Sequence, residues 1–527
     1  MAKAATAKVG GGGILGWIER TGNRLPDPVF LFIYLILILV AVSVVANLLG
    51  LSVQHPINKA EDGSPEIITA ASLVSAANLE KLLVEAPKTF TSFPPLGFVL
   101  VVMLGAGIAE RAGLFAAAMR ALVRSAPRSL LTPTVAFAGM VGHVAADAAY
   151  VVLIPLAGVL FAAAGRHPLA GIAAGFAAVS GGFSANLVPA QLDALLFGIT
   201  QPAAQIVDPT WQANIAGNWY FILGMLVVYV PLIWFVTDVI IEPRLKKFTR
   251  VDPTTEAGKQ AAQGDQALSA GEKKGLGAAG LAALAVVAAW VFFTFGPGTP
   301  LINENAEGPA RMTPFFQSLI AGFFIFFFAT GWAYGRAAGT VKTHHDLVRM
   351  MTESMKDLGY YMVLSFFCAH FVAMFAWSNL GLIMAVNGAD AIRQSGLSTP
   401  WLLGLTVLVT AAVNLFIGSA SAKWALLAPI LVPMFMLLGI SPEATTGAYR
   451  VGDGATNIIT PLMVYFPLIL TFCQRWNKDF GLGSLIATML PYSLWILAVG
   501  FGLTYFWIEA DLPLGPHAPA HYTPPAQ

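Results

Sequence analysis

Gly418-Ser-Ala-Ser-Ala-Lys-Trp424 runs into an apolar stretch carrying Pro429, Gly439 and Pro442. The chain holds the same pattern once before, as Gly142-His-Val-Ala-Ala-Asp-Ala-Ala-Tyr150 followed by Pro155, Gly165 and Pro168. One offset, 274 residues, carries Pro155 onto Pro429 and Pro168 onto Pro442, and also pairs Asp147 with Ser421, Tyr150 with Trp424 and Phe161 with Phe435. The regions around these copies, 129–165 and 400–440, are each too long for one membrane crossing and each broken near the middle by Gly, Ala and Ser. We read both as re-entrant hairpins of two half-length helices, because non-helical backbone survives at membrane depth only where protein or a wet cavity satisfies it. Repeated, glycine- and proline-broken apolar segments imply the substrate site of a secondary transporter.

Composition agrees with a membrane location. The chain has 527 residues, 57% hydrophobic and 11% charged, where a soluble domain carries about 25% charged residues. The balance of 29 basic to 28 acidic residues offers no basic surplus for nucleic acid. Cys368 and Cys473 lie at or in apolar segments, which supports neither a disulfide framework nor a zinc site.

A crossing helix needs about 20 apolar residues. Nine segments qualify: 28–50, 95–113, 168–198, 216–241, 275–295, 314–336, 357–386, 442–472 and 484–508. With the N-terminus inside, 22 of the 29 Lys and Arg residues fall in inner loops, five in outer loops, and two, Lys423 and Arg450, within the second repeat. This asymmetry follows the positive-inside rule, and it is lost if either hairpin is counted as a full span. The expected architecture is an all-α, multi-pass protein of the bacterial inner membrane with nine spans, two hairpins and inverted repeats. Residues 1–27 form a cytoplasmic N-terminus. The first half, 28–241, contains hairpin 129–165 and broken helix 168–198, and a cytoplasmic loop follows at 242–274. Helix 275–295 links to the second half, 314–508, with hairpin 400–440 and broken helix 442–472, and 509–527 is a periplasmic tail. Segments 113–127 and 342–356 are amphipathic and basic, suited to the inner surface.

Each hairpin is followed by a helix with a Gly/Asn/Pro break, Gly181-Gly-Phe-Ser-Ala-Asn-Leu-Val-Pro189 and Gly452-Asp-Gly-Ala-Thr-Asn-Ile-Ile-Thr-Pro461. Such breaks free carbonyls for a cation and half-helix N-termini for an anion, and Asn186 and Asn457 within them are candidate ion-coupling residues. Ionisable residues at membrane depth are costly and usually functional; here they are Asp147, Asp193, Lys423, Arg450 and Asp453. Arg450 and Asp453, three apart on one helix, share a face. They either pair with each other or divide the work, Arg450 taking a ligand carboxylate and Asp453 a cation or proton. Asp193 is either a titrating carboxylate or a wet residue at a helix end, and Asp147 a helix cap or a site residue. Trp424 offers a stacking surface for a flat aromatic ligand, with Ser421 and Asn414 close by.

Ser421-Ala-Lys-Trp424 through Pro442, Ala448-Tyr-Arg-Val-Gly-Asp453, Thr460-Pro461 and the opening Gly22-Asn-Arg-Leu-Pro-Asp-Pro28 resemble the AbgT family of p-aminobenzoyl-glutamate transporters. The resemblance covers nearly the whole chain. It implies a homodimer with a cytoplasm-facing basin that moves folate-related aromatic acids by ion coupling, some members importing p-aminobenzoyl-glutamate, others exporting p-aminobenzoate and sulfonamide antimetabolites. Carried over residue by residue, it implies substrate contacts at Asp193, Ser421, Trp424, Pro442, Arg450 and Pro461, and a sodium site at Asn414 and Asp453. No organic cofactor is expected, only sodium or a proton as coupling ion, and the lipid bilayer is the surrounding partner. The hairpin and broken-helix pattern also looks like the wider superfamily of divalent anion/sodium symporters, and the elevator-like motion known there is expected here. Two rival readings follow: a dicarboxylate symporter, and an intramembrane enzyme using His143, Asp147 or Asp193.

Overall fold

The computed structural model describes residues 27–59, 65–124, 127–142, 149–248, 268–296, 298–305, 311–460, 462–463 and 465–523. The two cysteines are buried and free. Six described helices are long and apolar enough to cross a membrane: Val29–Leu48, Trp219–Lys246, Ala270–Phe295, Thr313–Ala338, Gly359–Trp377 and Leu482–Glu509. The remaining expected spans are interrupted. Segment 95–113 forms Leu96–Arg111 and bends by 64° into Leu114–Leu122. Segment 168–198 splits into Pro168–Phe176 with a π turn to Gly181, a break, and Gln191–Ala204, while 442–472 splits into Pro442–Asn457 and Phe466–Gln474.

Local chemistry accounts for two departures from the expected boundaries. The linking helix starts at Ala270 rather than at 275, because Ser269 and Glu272 form a reciprocal capping box that draws the polar residues into its first turn. Segment 357–386 is two helices, Gly359–Trp377 and Leu380–Ser395; Asn379 between them takes a left-handed conformation (φ 59°), which ends a helix. The fold is also not purely α. Within 51–93, Ser52–Lys59 and Pro65–Thr69 pair antiparallel, Ser52 opposite Thr69 and Val53 opposite Ile68. Asn379 Nδ2 donates to Thr69 O at 2.9 Å, fastening this ribbon to the helix break.

The 274-residue offset is a geometric repeat as well as a textual one. Gly165 and Gly439 both adopt positive φ, 75° and 80°. The next amide reaches back identically, Arg166 N to Phe161 O at 2.8 Å and Ile440 N to Phe435 O at 2.9 Å. This is the glycine-terminated helix end, and a side chain at either glycine would strain it. Pro168 and Pro442 then open the following helices, where a missing N–H costs nothing, and His167 and Ser441 cap them by accepting Leu169 N and Ala444 N.

The two helix ends are anchored differently. Behind the first, Arg166 donates to Thr132 Oγ1 at 2.7 Å and to Asp238 and Glu242 at 2.5 Å each, tying 129–165 to the helix beginning at Trp219. Behind the second, the C-terminal tail takes over. Ser441 N donates to Ala520 O at 3.0 Å, Tyr522 N to Gly439 O at 2.8 Å, and Phe221 N to Leu514 O at 3.0 Å. Asn214 Nδ2 adds a bond to Pro516 O and Tyr522 Oη one to Asp208. A chain ending at Glu509 loses all five. At roughly 0.5–1.5 kcal/mol each, the expected loss is about 3–5 kcal/mol, read as a fall in melting temperature in detergent; an unchanged transition would show that the tail is not a brace.

Three apolar clusters fill the molecule. One surrounds Leu131–Val141, Ile154–Ala163, Pro168–Phe176 and Leu482–Glu509. The second joins Pro28–Leu48, Gln191–Ala204, Gly359–Trp377 and Ala420–Met436. The third joins Pro94–Arg111 to Thr313–Ala338 and the amphipathic helix His344–Asp357. The outer face of Ala270–Phe295 is bare, with Leu281 72% and Leu284 68% exposed, as suits a helix whose neighbour is lipid.

Candidate functional site

Every residue of Pro442–Asn457 is buried, although the helix is rich in Thr, Gly and charged groups. Burying such a helix demands partners for each polar group. One stripe, at spacings of three and four, meets them in turn. Thr446 Oγ1 lies 3.0 Å from Thr200 Oγ1. Arg450 Nη2 donates to Asp193 Oδ1 at 2.6 Å. Asp453 Oδ1 accepts from Lys423 Nζ at 2.6 Å. Asn457 Oδ1 accepts from Asn414 Nδ2 at 2.9 Å.

Arg450 and Asp453 therefore do not pair with each other, contrary to what their spacing permits. Each takes an opposite charge from a different element, because the facing helices bring Asp193 and Lys423 to the stripe at its two levels. Asp193 is set by the break before it. It is the third residue of Gln191–Ala204 and accepts Ala190 N at 2.7 Å, closing the first turn. The positive end of that helix favours the carboxylate. Asp193 is 2% exposed and is not a wet residue at a helix end.

Trp424 is fully buried. Its indole N–H points to Thr200 Oγ1 at 3.0 Å and Leu196 O at 3.2 Å, and its ring lies 4.4 Å from that of Tyr449 at 31°. The face expected to receive a ligand is thus covered by Tyr449 in this conformation. Arg450 retains spare capacity, since its Nε is buried with no acceptor among the described residues. An unpaired buried donor is expensive, which makes this position receptive to an anion.

Asn414, at the end of Thr399–Asn414, gathers the second level. Its Nδ2 reaches Asp453 O at 2.8 Å, Thr456 Oγ1 at 2.9 Å and Asn457 Oδ1 at 2.9 Å. Its Oδ1 is left for Lys423 Nζ, which donates to it. The oxygens of Asn414 and Asp453 that would ligate sodium thus both hold an ammonium. As arranged here, the residues do not fit a sodium ion.

Trp424, Asp453, Asn414 and Asn457 are joined through direct contacts or one intermediate side chain, Tyr449 linking Trp424 to Asp453, while Asp193 and Arg450 form a separate ion pair at the neighbouring level of the stripe. Asn186 stands apart, its Oδ1 accepting Leu187 N and its own N–H directed to Ile222 O. Pro442 opens the helix two turns before Arg450. Ser421 Oγ lies 3.2 Å from Ser419 Oγ and faces a small cavity lined also by Phe93, Tyr361 and Cys368. Pro461, His143 and Asp147 lie outside the described residues. Sequence reading assigned no role to Thr200, Thr446, Tyr449 and Thr456 and none to Lys423. The stripe 446, 449/450, 453, 457 is the signal that marks two of them, Thr446 and Tyr449; Thr456 lies beside the stripe on the same helix, and Thr200 and Lys423 lie on other elements and carry no such mark.

A family model described as "AbgT putative transporter family" matches residues 13–522. The p-aminobenzoyl-glutamate transport protein of Escherichia coli (strain K12) is 36% identical over 509 residues, 96% of each chain. Among solved structures, the YdaH transporter of Alcanivorax borkumensis is 41% identical with a TM-score of 0.85, covering 93% of this chain and 100% of that one. MtrF of Neisseria gonorrhoeae, described as illuminating a class of antimetabolite efflux pumps, is 41% identical with a TM-score of 0.87, covering 94% and 97%. On sequence and fold alike, this chain belongs to the AbgT family and is a multi-pass membrane transporter, not an enzyme.

Proposed function

We propose that the protein is an ion-coupled secondary carrier of small aromatic carboxylates, with p-aminobenzoyl-glutamate and p-aminobenzoate as substrates and sulfonamide antimetabolites as export cargo. One observation carries the chemistry: the underused guanidinium of Arg450 stands one residue along the chain from Tyr449, whose ring lies tilted against that of Trp424. A guanidinium fork and an aromatic pair set at successive positions of one helix supply the two groups an aromatic acid requires. The names of the relatives, a p-aminobenzoyl-glutamate transport protein and an antimetabolite efflux pump, support the same class.

In this reading the occluded site opens by separating Trp424 from Tyr449, and the substrate carboxylate takes the free Nε edge of Arg450 while Asp193 holds the other. A cavity of about 480 Å³ lined by Glu85, Lys88, Gln201 and Gln205 is one access route. Phe93 lines both it and the small cavity beside Ser421 and forms the barrier between them. The two hairpins and their broken helices move together, elevator-like, against a scaffold containing Pro28–Leu48 and Ala270–Phe295. The carrier works as a homodimer in the bacterial inner membrane with its N-terminus cytoplasmic and its tail periplasmic.

The test is transport in proteoliposomes. Labelled p-aminobenzoyl-glutamate or a sulfonamide is expected to move when an ion gradient is imposed, and aromatic acids should compete while aliphatic dicarboxylates of equal charge do not. Preference for the aliphatic acids would favour the dicarboxylate-symporter reading. Failure of every imposed gradient would remove the proposal.

A further inference from the structure

Lys423 is fully buried, and its ammonium is held by Asp453 Oδ1 at 2.6 Å, by Asn414 Oδ1, and more distantly by Ile417 O at 3.5 Å. The ring of Tyr449 lies 5.9 Å from Nζ, within cation–π range. The donor set is a carboxylate, an amide oxygen and a carbonyl at the C-terminal end of Thr399–Asn414, where the helix dipole is negative. That is the chemistry of a monovalent-cation site, supplied with its own cation.

Two features set this apart from an incidental ion pair. Lys423 lies in the first turn of Ala420–Met436, the end of a helix that repels a cation, so its placement depends on the partners across the gap. Asn414 is also oriented for it: with Nδ2 committed to three acceptors, its Oδ1 has to face Nζ. Of the other charges nearby, Arg450 is turned to Asp193. The group is neutral as it stands, one carboxylate to each cation. A sodium ion added to Asp453 would put two cations on one buried carboxylate.

We infer that Lys423 is the resident cation of this site, a tethered ammonium that occupies the position between Asn414 and Asp453 and keeps sodium from binding there. Lys423 is then a specificity-determining residue. It makes the carrier independent of sodium, and its removal uncovers a sodium site. The inference builds on the proposed carrier function, but its deciding test, sodium binding by the purified chain, needs no substrate, so failure of the aromatic-acid reading leaves it separately decidable.

The purified full chain in detergent is titrated with sodium chloride against choline chloride at constant ionic strength, reading melting temperature and binding of radioactive sodium. The wild type is expected to show no sodium-specific shift and no bound sodium. Lys423→Met is expected to show a saturable, sodium-specific stabilisation with one ion per chain, and Lys423→Arg none. Stoichiometric sodium binding by the wild type overturns the inference, as does a monodisperse Lys423→Met that ignores sodium. If Lys423→Met yields no folded protein in choline, sodium added during purification should recover it, and failure to do so counts against the site. In proteoliposomes, collapsing the sodium gradient should leave wild-type transport unchanged.

Discussion

Arg450→Ala is expected to abolish transport and to destabilise the fold by about 3–5 kcal/mol, the cost of leaving one member of a buried ion pair uncompensated. The stability loss arises from the contact of Arg450 Nη2 with Asp193, where both side chains are almost completely buried, and the transport loss from removal of the guanidinium whose free Nε edge is proposed to take the substrate carboxylate. The two effects can be separated. Arg450→Ala combined with Asp193→Asn removes the orphaned charge and should recover most of the stability, yet it should not recover transport, because no other described cation stands free at that level. Arg450→Lys keeps the charge but loses the planar fork. It should fold nearly as well as the wild type and transport more than tenfold more slowly. Melting temperature in detergent and initial rates in proteoliposomes give the two readouts. Normal rates in Arg450→Ala would refute the carboxylate-binding role.

Gly452→Ala is the second change with a large expected effect, although it adds one methyl group. A Cβ at Gly452 would stand 2.3 Å from Val407 O, 2.7 Å from Thr410 Cβ and 3.0 Å from Ala411 N. Two of these atoms are backbone of the facing arm Thr399–Asn414, which cannot rotate aside. The central helix must lift off that arm, and the same displacement pulls Asp453 from Asn414. Overpacking a tight core costs about 1–3 kcal/mol and occasionally more; with backbone as the obstacle the expected loss is at or above about 3 kcal/mol, together with transport. Gly502→Ala is the control. It lies in Leu482–Glu509 with nothing within 4 Å of the added methyl, and should be neutral or stabilising by up to about 1 kcal/mol, since alanine is the better helix former. Equal behaviour of the two variants would contradict the close approach.

The pairing of Arg450 illustrates why spacing alone misleads. Residues three apart on a helix can reach each other, and nothing in the local sequence says whether a better partner stands opposite. Asp193, 257 positions away, was identified as an ionisable residue at depth, but its bond to Arg450 depends on how the helix after the first break enters the core. Lys423 carries no role legible in the sequence, because a lysine in an apolar segment reads the same whether it fills a cation site or snorkels to water. Trp424 is buried, with Tyr449 as its cover, and nothing in the sequence marks Tyr449 for that part.

By itself the sequence determined the membrane class, the positions of the breaks, the repeat and the family. All of these follow from short-range patterns: apolar runs matched to bilayer thickness, glycines and prolines that end helices, and an offset that needs only counting. Tertiary structure alone decided which charges neutralise which, that the aromatic faces close on each other, and that an ammonium holds the place expected for a sodium ion. The reason is energetic. In a core without water, each charge is drawn to an opposite charge brought close by packing, and packing is settled by helix approaches such as Gly452 against Val407, which no local pattern encodes.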